Sequence, residues 1–181
     1  MKKAIPRDQV FVDLRIPDES EVKDGLRRIL GSNSKYRVVW LLCLEGGLRV
    51  VEAVSMVSSF DRSRLVELDG FYRYPLGMFR SCKQAYFAYF TRETLGLIES
   101  SGSMSYGEAR KMPGRRGVLP AKYLRKFAFH KMVELGIPES VADFIQGRAP
   151  RAVGARHYMN LVRQADQYYP RYADYIRGLN R

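Results

Sequence analysis

Side chains that bind metals or form disulfides are scarce in this sequence. Its 181 residues include two cysteines, Cys43 and Cys82, and only two histidines. Two cysteines cannot build a disulfide framework, and Cys43 lies in an apolar helical run that is typical of a core. No carboxylate cluster or Cys/His spacing suits a metal, and no glycine-rich phosphate loop or nucleophile-elbow serine is present. We therefore expect neither a metal nor a cofactor.

Long hydrophobic runs are also missing. The longest apolar stretch, VVWLLCL, is far too short to span a bilayer, and the opening residues, MKKAIPRDQVF, lack the apolar segment of a signal peptide. We therefore expect no membrane span and a reducing, cytoplasmic location. The chain is long enough for one domain with a full core. No linker or internal repeat divides it, so we predict a single domain over residues 1–181.

Acidic side chains are few and unevenly placed. The sequence has 19 Asp and Glu against 31 Lys and Arg, a formal net charge of +12. Such an excess favours a polyanionic partner: DNA, RNA or an acidic membrane surface. One stretch contains no acid and many cations: Arg110, Lys111, Arg115, Arg116, Lys122, Arg125 and Lys126. This concentration favours nucleic acid over the alternative of a solvated basic face.

The first half of the chain predicts three helices followed by a small sheet. A first helix should end at Leu30, and SKYRVVWLLCLEGG predicts a second that stops at Gly46–Gly47. The segment LRVVEAVSMV predicts a third, with Arg49 in its first turn. RLVEL, FYRYPLGMF and QAYFAYF predict three short antiparallel strands, because they are rich in aromatic and branched residues and Asp69–Gly70 is a hairpin signal. The second turn then falls at residues 80–83.

The second half predicts further helices. SYGE has the spacing of a capping box and should begin a short helix, followed by an exposed basic loop, MPGRRGV. Pro120 suits the start of a helix through PAKYLRKFAFHKMVELG, and PESVADFIQG predicts another that Gly147 ends. Residues 161–181 predict a polar, tyrosine-rich helix or arm. The predicted fold class is therefore mainly α with a small three-stranded antiparallel β-sheet.

Cations gather around one tyrosine in the stretch QGRAPRAVGARHYMN, residues 146–160. Arg148, Arg151 and Arg156 lie near Tyr158 in sequence, with no carboxylate among them. A phenol with a pKa of about 10 is a weak nucleophile at neutral pH and needs a base or a cationic setting. If the target is a phosphodiester, arginine forks match the non-bridging oxygens where negative charge builds. A lysine can then protonate the leaving sugar oxygen.

Four short motifs, taken in order, resemble those of the tyrosine recombinases, which are site-specific DNA integrases related in mechanism to type IB topoisomerases. They are GLRVVE (47–52), KYLRKFA (122–128), QGR (146–148) and HYM (157–159). Within that family the sequence resembles the archaeal, fusellovirus-type integrases, which use Lys-x-x-Arg in place of His-x-x-Arg and an arginine after the glycine. The resemblance runs from about Arg49 to Tyr158 and implies the catalytic-domain fold of the family.

The resemblance implies a role for each phosphate-binding residue. Arg49 and Arg125 would clamp the scissile phosphate, and Glu52 would orient Arg49. Lys122 stands where most of the family has a histidine, and Arg148 where most have a histidine or a tryptophan. Both would contact the same phosphate. Because Lys122 cannot act as a neutral imidazole base, activation of the nucleophile would depend more on the arginines or on the DNA phosphate.

Two residues would carry the bond-making and bond-breaking steps that the resemblance implies. Tyr158 would attack phosphorus, forming a 3′-phosphotyrosyl link and freeing a 5′-hydroxyl, and Lys83 would be the general acid. Because the bond energy is retained, strand exchange would need no ATP. Arg80 lies in the same turn and is an alternative acid. His157, beside the tyrosine, would tune it or cap a backbone group.

Other cations would hold the duplex without taking part in the chemistry. Phosphate contacts of this kind make binding of double-stranded DNA fall steeply with salt. The predicted DNA contacts are Arg80, Arg110, Lys111, Arg115, Arg116, Lys126, Arg151 and Arg156.

The resemblance leaves the assembly and the activity open. We expect a homo-oligomer on DNA, a tetramer, and a monomer or dimer when the protein is free. The tail from residue 161 would pack on its own domain or on a neighbour. Because the stretch before Arg49 is short, we expect the family's N-terminal DNA-binding domain to be absent, as in a fragment. A non-catalytic DNA-binding integrase remnant and a type IB topoisomerase are the alternative functions.

Overall fold

Helices dominate the structure and enclose one small sheet. The computed structural model describes residues 13–80, 83–148 and 160–179, except for the side chains of residues 78–84. This part of the chain contains the mainly α architecture and the three-stranded antiparallel sheet that the sequence predicts. The helices are α1 (Glu19–Leu30), α2 (Ser34–Glu45), α3 (Val50–Ser58), α4 (Arg92–Ser100), α5 (Tyr106–Arg116), α6 (Ala121–Glu134), α7 (Glu139–Ile145) and α8 (Leu161–Leu179), and the strands are β1 (Val66–Leu68), β2 (Phe71–Arg80) and β3 (Lys83–Thr91).

Helix α2 is the centre of the core. Every residue from Val38 to Glu45 is buried, and the helix packs against α1, α3, α4, α5, α6, α8 and β3. Trp40 donates its indole N–H to the backbone oxygen of Leu119 at 3.1 Å. Burial raises the pKa of the Cys43 thiol to about 12. These observations confirm the predicted core helix and the structural reading of Cys43.

The sheet follows the predicted hairpins. Strand β2 pairs with β1 through a turn at Gly70, which takes φ of +81°, and with β3 through a longer antiparallel ladder that has an irregularity between Pro75 and Met78. The last pair of that ladder joins Arg80 to Lys83. The second hairpin therefore turns where the sequence predicts. Strands β2 and β3 are longer than the short strands expected.

Two predictions of helix bounds were wrong, and one helix was missed. The segment MPGRRGV does not form a loop, because α5 continues through Pro113 to Arg116 and ends at Gly117, whose φ is +62°. Met112 and Val118 are buried on either side of this end, and their burial stabilises the helical course despite the missing proline N–H. Arg49 lies at the N-cap of α3 rather than inside its first turn. Helix α4 was not predicted at all.

The C-terminal helix α8 packs against α2, α6, α7 and β3. Helix α8 is amphipathic rather than polar, and it buries Tyr169, Tyr172 and Ile176. The Tyr172 hydroxyl donates to the backbone oxygen of Leu44 at 2.8 Å, and the Tyr169 hydroxyl donates to that of Glu45 at 3.2 Å. These carbonyls lie at the end of α2, where a helix leaves its last oxygens unpaired. The two tyrosines therefore complete the C-terminus of the core helix.

None of the described helices combines the length and the apolar character that crossing a bilayer requires.

Candidate active site

Arg49 stands immediately before α3 and is held by Glu52 from the first turn of that helix. The Arg49 backbone N–H donates to Glu52 Oε2 at 2.7 Å, and its Nη1 donates to Oε1 of the same carboxylate at 2.6 Å. Nη1 also lies 3.3 Å from the backbone oxygen of Gly147. The guanidinium is therefore fixed at a helix N-terminus, where free backbone N–H groups also favour an anion.

Arg125 projects from α6 into the interior. Only 11% of its side chain is exposed, and its Nη1 lies 3.8 Å from Glu52 Oε2. Nη2 donates to the backbone oxygen of Gln146 at 3.3 Å. Within the described part of the chain, Nη1 has no hydrogen-bond partner. A buried donor in this state is costly, so an anion that reached it would be bound favourably.

Contacts with Glu52 and with the turn after α7 bring Arg49 and Arg125 together, and Arg148 follows that turn directly. Burial is the largest cause that lowers the Arg125 pKa, to about 10, and the positive charges of Arg49 and Arg148 lower it further, whereas Glu52 raises it. Arg125 remains a cation at neutral pH. The pocket therefore combines three guanidinium groups, two of them beside one shared carboxylate.

Arg148 follows the turn at the end of α7 and is held by that helix. Its backbone N–H donates to the backbone oxygen of Asp143 at 2.8 Å, and its Nη1 lies 3.3 Å from Asp143 Oδ1. The guanidinium carbon lies 5.0 Å from the centre of the Phe129 ring, a cation–π distance. About a third of the side chain, 35%, is exposed. Arg125 is therefore the more buried of these two guanidinium groups, and Arg148 is the more exposed.

Lys122 contacts an acid from the start of the described chain rather than the arginines. Its ammonium pairs with the Asp13 carboxylate, from which Lys126 Nζ is 3.3 Å away. Lys126 Nζ also lies 3.0 Å from the backbone oxygen of Arg15, whose guanidinium stands 4.7 Å from the centre of the Tyr123 ring. The hydrogen bond with Lys122 holds the pKa of Asp13 well below its usual range. The segment at Asp13 thus covers part of the cationic face of α6.

The remaining predicted residues are placed as follows. The cations Arg110, Lys111, Arg115 and Arg116 are exposed on α5, and Arg116 stands over the Tyr36 ring. Lys83 opens β3, but its side chain and that of Arg80 lie outside the described residues, as do Arg151, Arg156, His157 and Tyr158 altogether. No group of three His, Cys, Asp or Glu side chains that could hold a metal occurs in the described ranges.

Sequence reasoning missed three residues that touch the arginines or the lysines. Asp143 and Gln146 hold Arg148 and Arg125, and Asp13 holds Lys122. An acid within the apolar helix VADFI was the only available signal for Asp143. Gln146 belongs to the motif QGR, but its contact with Arg125 and that of Asp13 with Lys122 join residues far apart in sequence, so no local pattern could indicate these contacts.

Comparison with known proteins identifies the family of the chain. Residues 14–175 match the archaeal phage integrase family, a range that includes α1 to α7 and most of α8. No curated protein matches the chain. Membership of this family supports site-specific recombination as the general activity and DNA as the partner. Because the match spans most of its length, this chain belongs to the archaeal phage integrase family.

Proposed function

We propose that the protein cuts and rejoins duplex DNA by metal-free transesterification, with Tyr158 as the nucleophile and a 3′-phosphotyrosyl intermediate. Support comes above all from Arg125, a buried guanidinium whose Nη1 has no hydrogen-bond partner in the described structure and whose pKa is lowered by the nearby charges of Arg49 and Arg148. A phosphodiester is an anion that such a pocket suits. As it approaches the transition state, it gains negative charge on the oxygens that arginine forks bind.

The arginines would contribute where charge develops. Removing one preorganised donor from such a site costs roughly 3 kcal/mol in comparable oxyanion holes, or about a hundredfold in rate. Glu52 keeps Arg49 and Arg125 from repelling each other and so allows both guanidinium groups to face one phosphate. We assign the phosphate clamp to Arg49, Arg125 and Arg148, with Glu52 as the residue that orients them.

Of the four tail tyrosines that rival Tyr158 as the nucleophile, the environments of three argue against them. Tyr169 and Tyr172 are fully buried, and burial raises the pKa of each well above the usual value. Tyr175 donates to Glu19 Oε2 at 2.7 Å, and its pKa is raised by burial and by that carboxylate. All three are poor sources of a phenolate. Tyr158 lies only ten positions beyond Arg148 in sequence.

Lys83 and Lys122 complete the proposed mechanism. Lys83, at the β2–β3 turn, is our proposed acid for the leaving 5′-oxygen, with Arg80 as the alternative. Gly147 approaches β3 so closely that a Cβ there would lie 2.9 Å from the Cα of Ala85, two residues beyond Lys83. This packing supports a hairpin directed toward the arginines. Lys122 would contact the phosphate once Asp13 is displaced.

We further propose that the chain is of the fusellovirus type and acts on DNA as a homo-oligomer, a tetramer. The lysine at position 122 and the arginine at position 148 support the subtype. The exposed cations Arg110, Lys111, Arg115 and Arg116 of α5, together with Lys126, Arg151 and Arg156, would contact the DNA backbone.

Covalent capture tests this proposal. The protein is incubated with a pool of random-sequence duplexes that carry a nick close to many possible cleavage points. After cleavage beside a nick, the short fragment with the free 5′-hydroxyl diffuses away, so religation cannot occur and the covalent adduct persists. We expect an adduct on a denaturing gel, its loss in Tyr158→Phe, and its retention in Tyr168→Phe, a matched change on α8. No adduct would favour a DNA-binding remnant. An adduct with relaxation of supercoils but no strand exchange would favour a topoisomerase.

A further inference from the structure

Gln146 occupies the point where the elements of the site meet. It follows α7 and is 0% exposed. Its carboxamide Nε2 donates to the backbone oxygen of Arg125 at 2.9 Å, while the Arg125 Nη2 donates to the Gln146 backbone oxygen at 3.3 Å. The two residues thus exchange hydrogen bonds across 21 positions of sequence. One of these bonds fixes the Arg125 backbone, and the other fixes its guanidinium.

The same carboxamide fits against the turn that carries Arg49. A Cβ added to Gly47 would lie 2.6–2.7 Å from the Gln146 side chain, a separation that real side chains do not reach. Gly47 also takes φ of +60°, which favours glycine. The start of α3 therefore lies directly against Gln146, and its position depends on the shape of that side chain.

The residue after Gln146 continues the connection. The Gly147 backbone oxygen accepts from Arg49 Nη1 at 3.3 Å, and Arg148 comes next in the chain. Adjacent carbonyls of the Gln146–Gly147 turn therefore receive one hydrogen bond from each of two arginines. The turn is the common support of the guanidinium groups.

We infer that Gln146 is a positioning residue that sets Arg125, and through the Gly47 turn Arg49, for a shared phosphate. This inference rests on the proposed function, since it assigns to one carboxamide the alignment of the proposed clamp. Within the described structure the carboxamide contacts Arg125 and the Gly47 turn, so the role inferred for it is positioning. Its Nε2 hydrogen bond joins α6 to the turn after α7, and a side chain without an N–H donor cannot make that bond.

The test compares Gln146→Met with Gln167→Met. Methionine fills a similar volume without the N–H donor, and Gln167 is exposed on α8, so it provides the same chemical change away from the site. Single-turnover cleavage is measured at saturating DNA, and the dissociation constant for DNA is measured separately. We expect Gln146→Met to bind DNA as the wild type does and to cleave it roughly tenfold to a hundredfold more slowly. Gln167→Met should be unchanged in both.

A neutral substrate distinguishes positioning from a general structural defect. A methylphosphonate at the scissile position has one non-bridging oxygen replaced by methyl, so its cleavage depends less on an aligned guanidinium. We expect the ratio of phosphate to methylphosphonate cleavage rates to fall in Gln146→Met, because a misaligned arginine slows cleavage of the charged phosphate more than cleavage of the neutral methylphosphonate. An unchanged ratio would overturn the inference. So would failure of both Gln146→Met and Gln146→Glu to fold, which would show that the carboxamide serves the fold.

Anion binding separates this inference from the proposed function. Inorganic phosphate is titrated calorimetrically into the wild type, Gln146→Met and Gln167→Met, with chloride at matched ionic strength as the control. We expect Gln146→Met to bind phosphate several times more weakly than the other two. If the wild type forms no adduct yet this difference holds, the proposed chemistry fails and the positioning role stands. Equal affinities would overturn the positioning role.

Discussion

Glu52 places its negative charge between the guanidinium groups of Arg49 and Arg125, and we predict that removing this charge destabilises the fold. Glu52 is 5% exposed; its Oε1 lies 2.6 Å from Arg49 Nη1, and its Oε2 lies 3.8 Å from Arg125 Nη1. In Glu52→Gln the amide oxygen can still accept from the Arg49 backbone, but no negative charge remains between the two guanidinium groups.

The expected loss of stability follows from the burial of the pair. A unit charge pair about 4 Å apart attracts by about 4 kcal/mol at an effective dielectric constant of about 20. Removing one partner of a buried pair costs about 3–5 kcal/mol. Because 24% of the Arg49 side chain is exposed, water screens part of the repulsion that is left. We therefore expect Glu52→Gln to lower the free energy of unfolding by about 2–3 kcal/mol, or roughly 5–10 °C in Tm.

Urea unfolding with and without inorganic phosphate measures this effect. Glu99→Gln is the matched control, since Glu99 pairs with Arg62 on the surface and such pairs contribute only about 0–1 kcal/mol. Phosphate should stabilise Glu52→Gln more than the wild type, because the anion binds the folded pocket and supplies the missing negative charge. A Glu52→Gln protein within about 0.5 kcal/mol of the wild type, with the same response to phosphate, would refute the reasoning.

Three further predictions concern other parts of the molecule. Burial raises the pKa of the Glu45 carboxyl from 4.5 to about 7, so its contribution to stability is full below pH 4.5 and is lost as pH rises through 7. Glu45→Gln should remove about 3 kcal/mol of this pH dependence from the free energy of unfolding measured in urea. An unchanged dependence of that free energy on pH would contradict this prediction. Asp13→Asn frees Lys122 and should tighten binding of a fluorescent duplex severalfold at low salt. An unchanged dissociation constant would show that Asp13 does not keep DNA from the lysines of α6. Tyr172→Phe leaves the Leu44 oxygen unpaired and should cost about 1–2 kcal/mol in unfolding with no change in cleavage rate; a loss of cleavage at full stability would contradict this.

The features of the fold that were predicted correctly depend on neighbours in sequence. The Asp69–Gly70 turn and the capping box at Ser105 and Glu108 each involve residues at most three positions apart. The stop of α2 at Gly46 is equally local. A pattern of residue types can indicate such features because the interacting groups are part of the pattern.

The features that were missed depend on distant contacts. At the N-terminal end of α4, the backbone N–H of Thr91 donates to Glu45 Oε2 at 2.8 Å, across 46 positions. Tyr169 and Tyr172 looked polar in the tail, but they are buried because they satisfy carbonyls 124 and 128 positions away. The groups that stabilise α4 and bury the tail tyrosines lie elsewhere in the chain, so the local sequences of these two segments were ambiguous.

The candidate site divides in the same way. Arg49, Glu52, Arg125 and Arg148 were found from motif order, and the structure places them together, although their chemical roles stay predictions. Their support was not visible in the sequence. The hydrogen bond from Arg49 to Gly147 spans 98 positions, so only the folded chain shows which groups hold the arginines in place.

Convergence of the three arginines on one anion is measured most directly by nuclear magnetic resonance. Inorganic phosphate is titrated into the ¹⁵N-labelled protein while the side-chain Nε–Hε signals of arginine are followed, with Arg27, which pairs with Asp24 on the exposed side of α1, as the reference. We predict that the signals of Arg49, Arg125 and Arg148 move together on one binding curve and that Arg27 does not follow it. Three separate curves, or a response no larger than that of Arg27, would contradict a shared phosphate pocket.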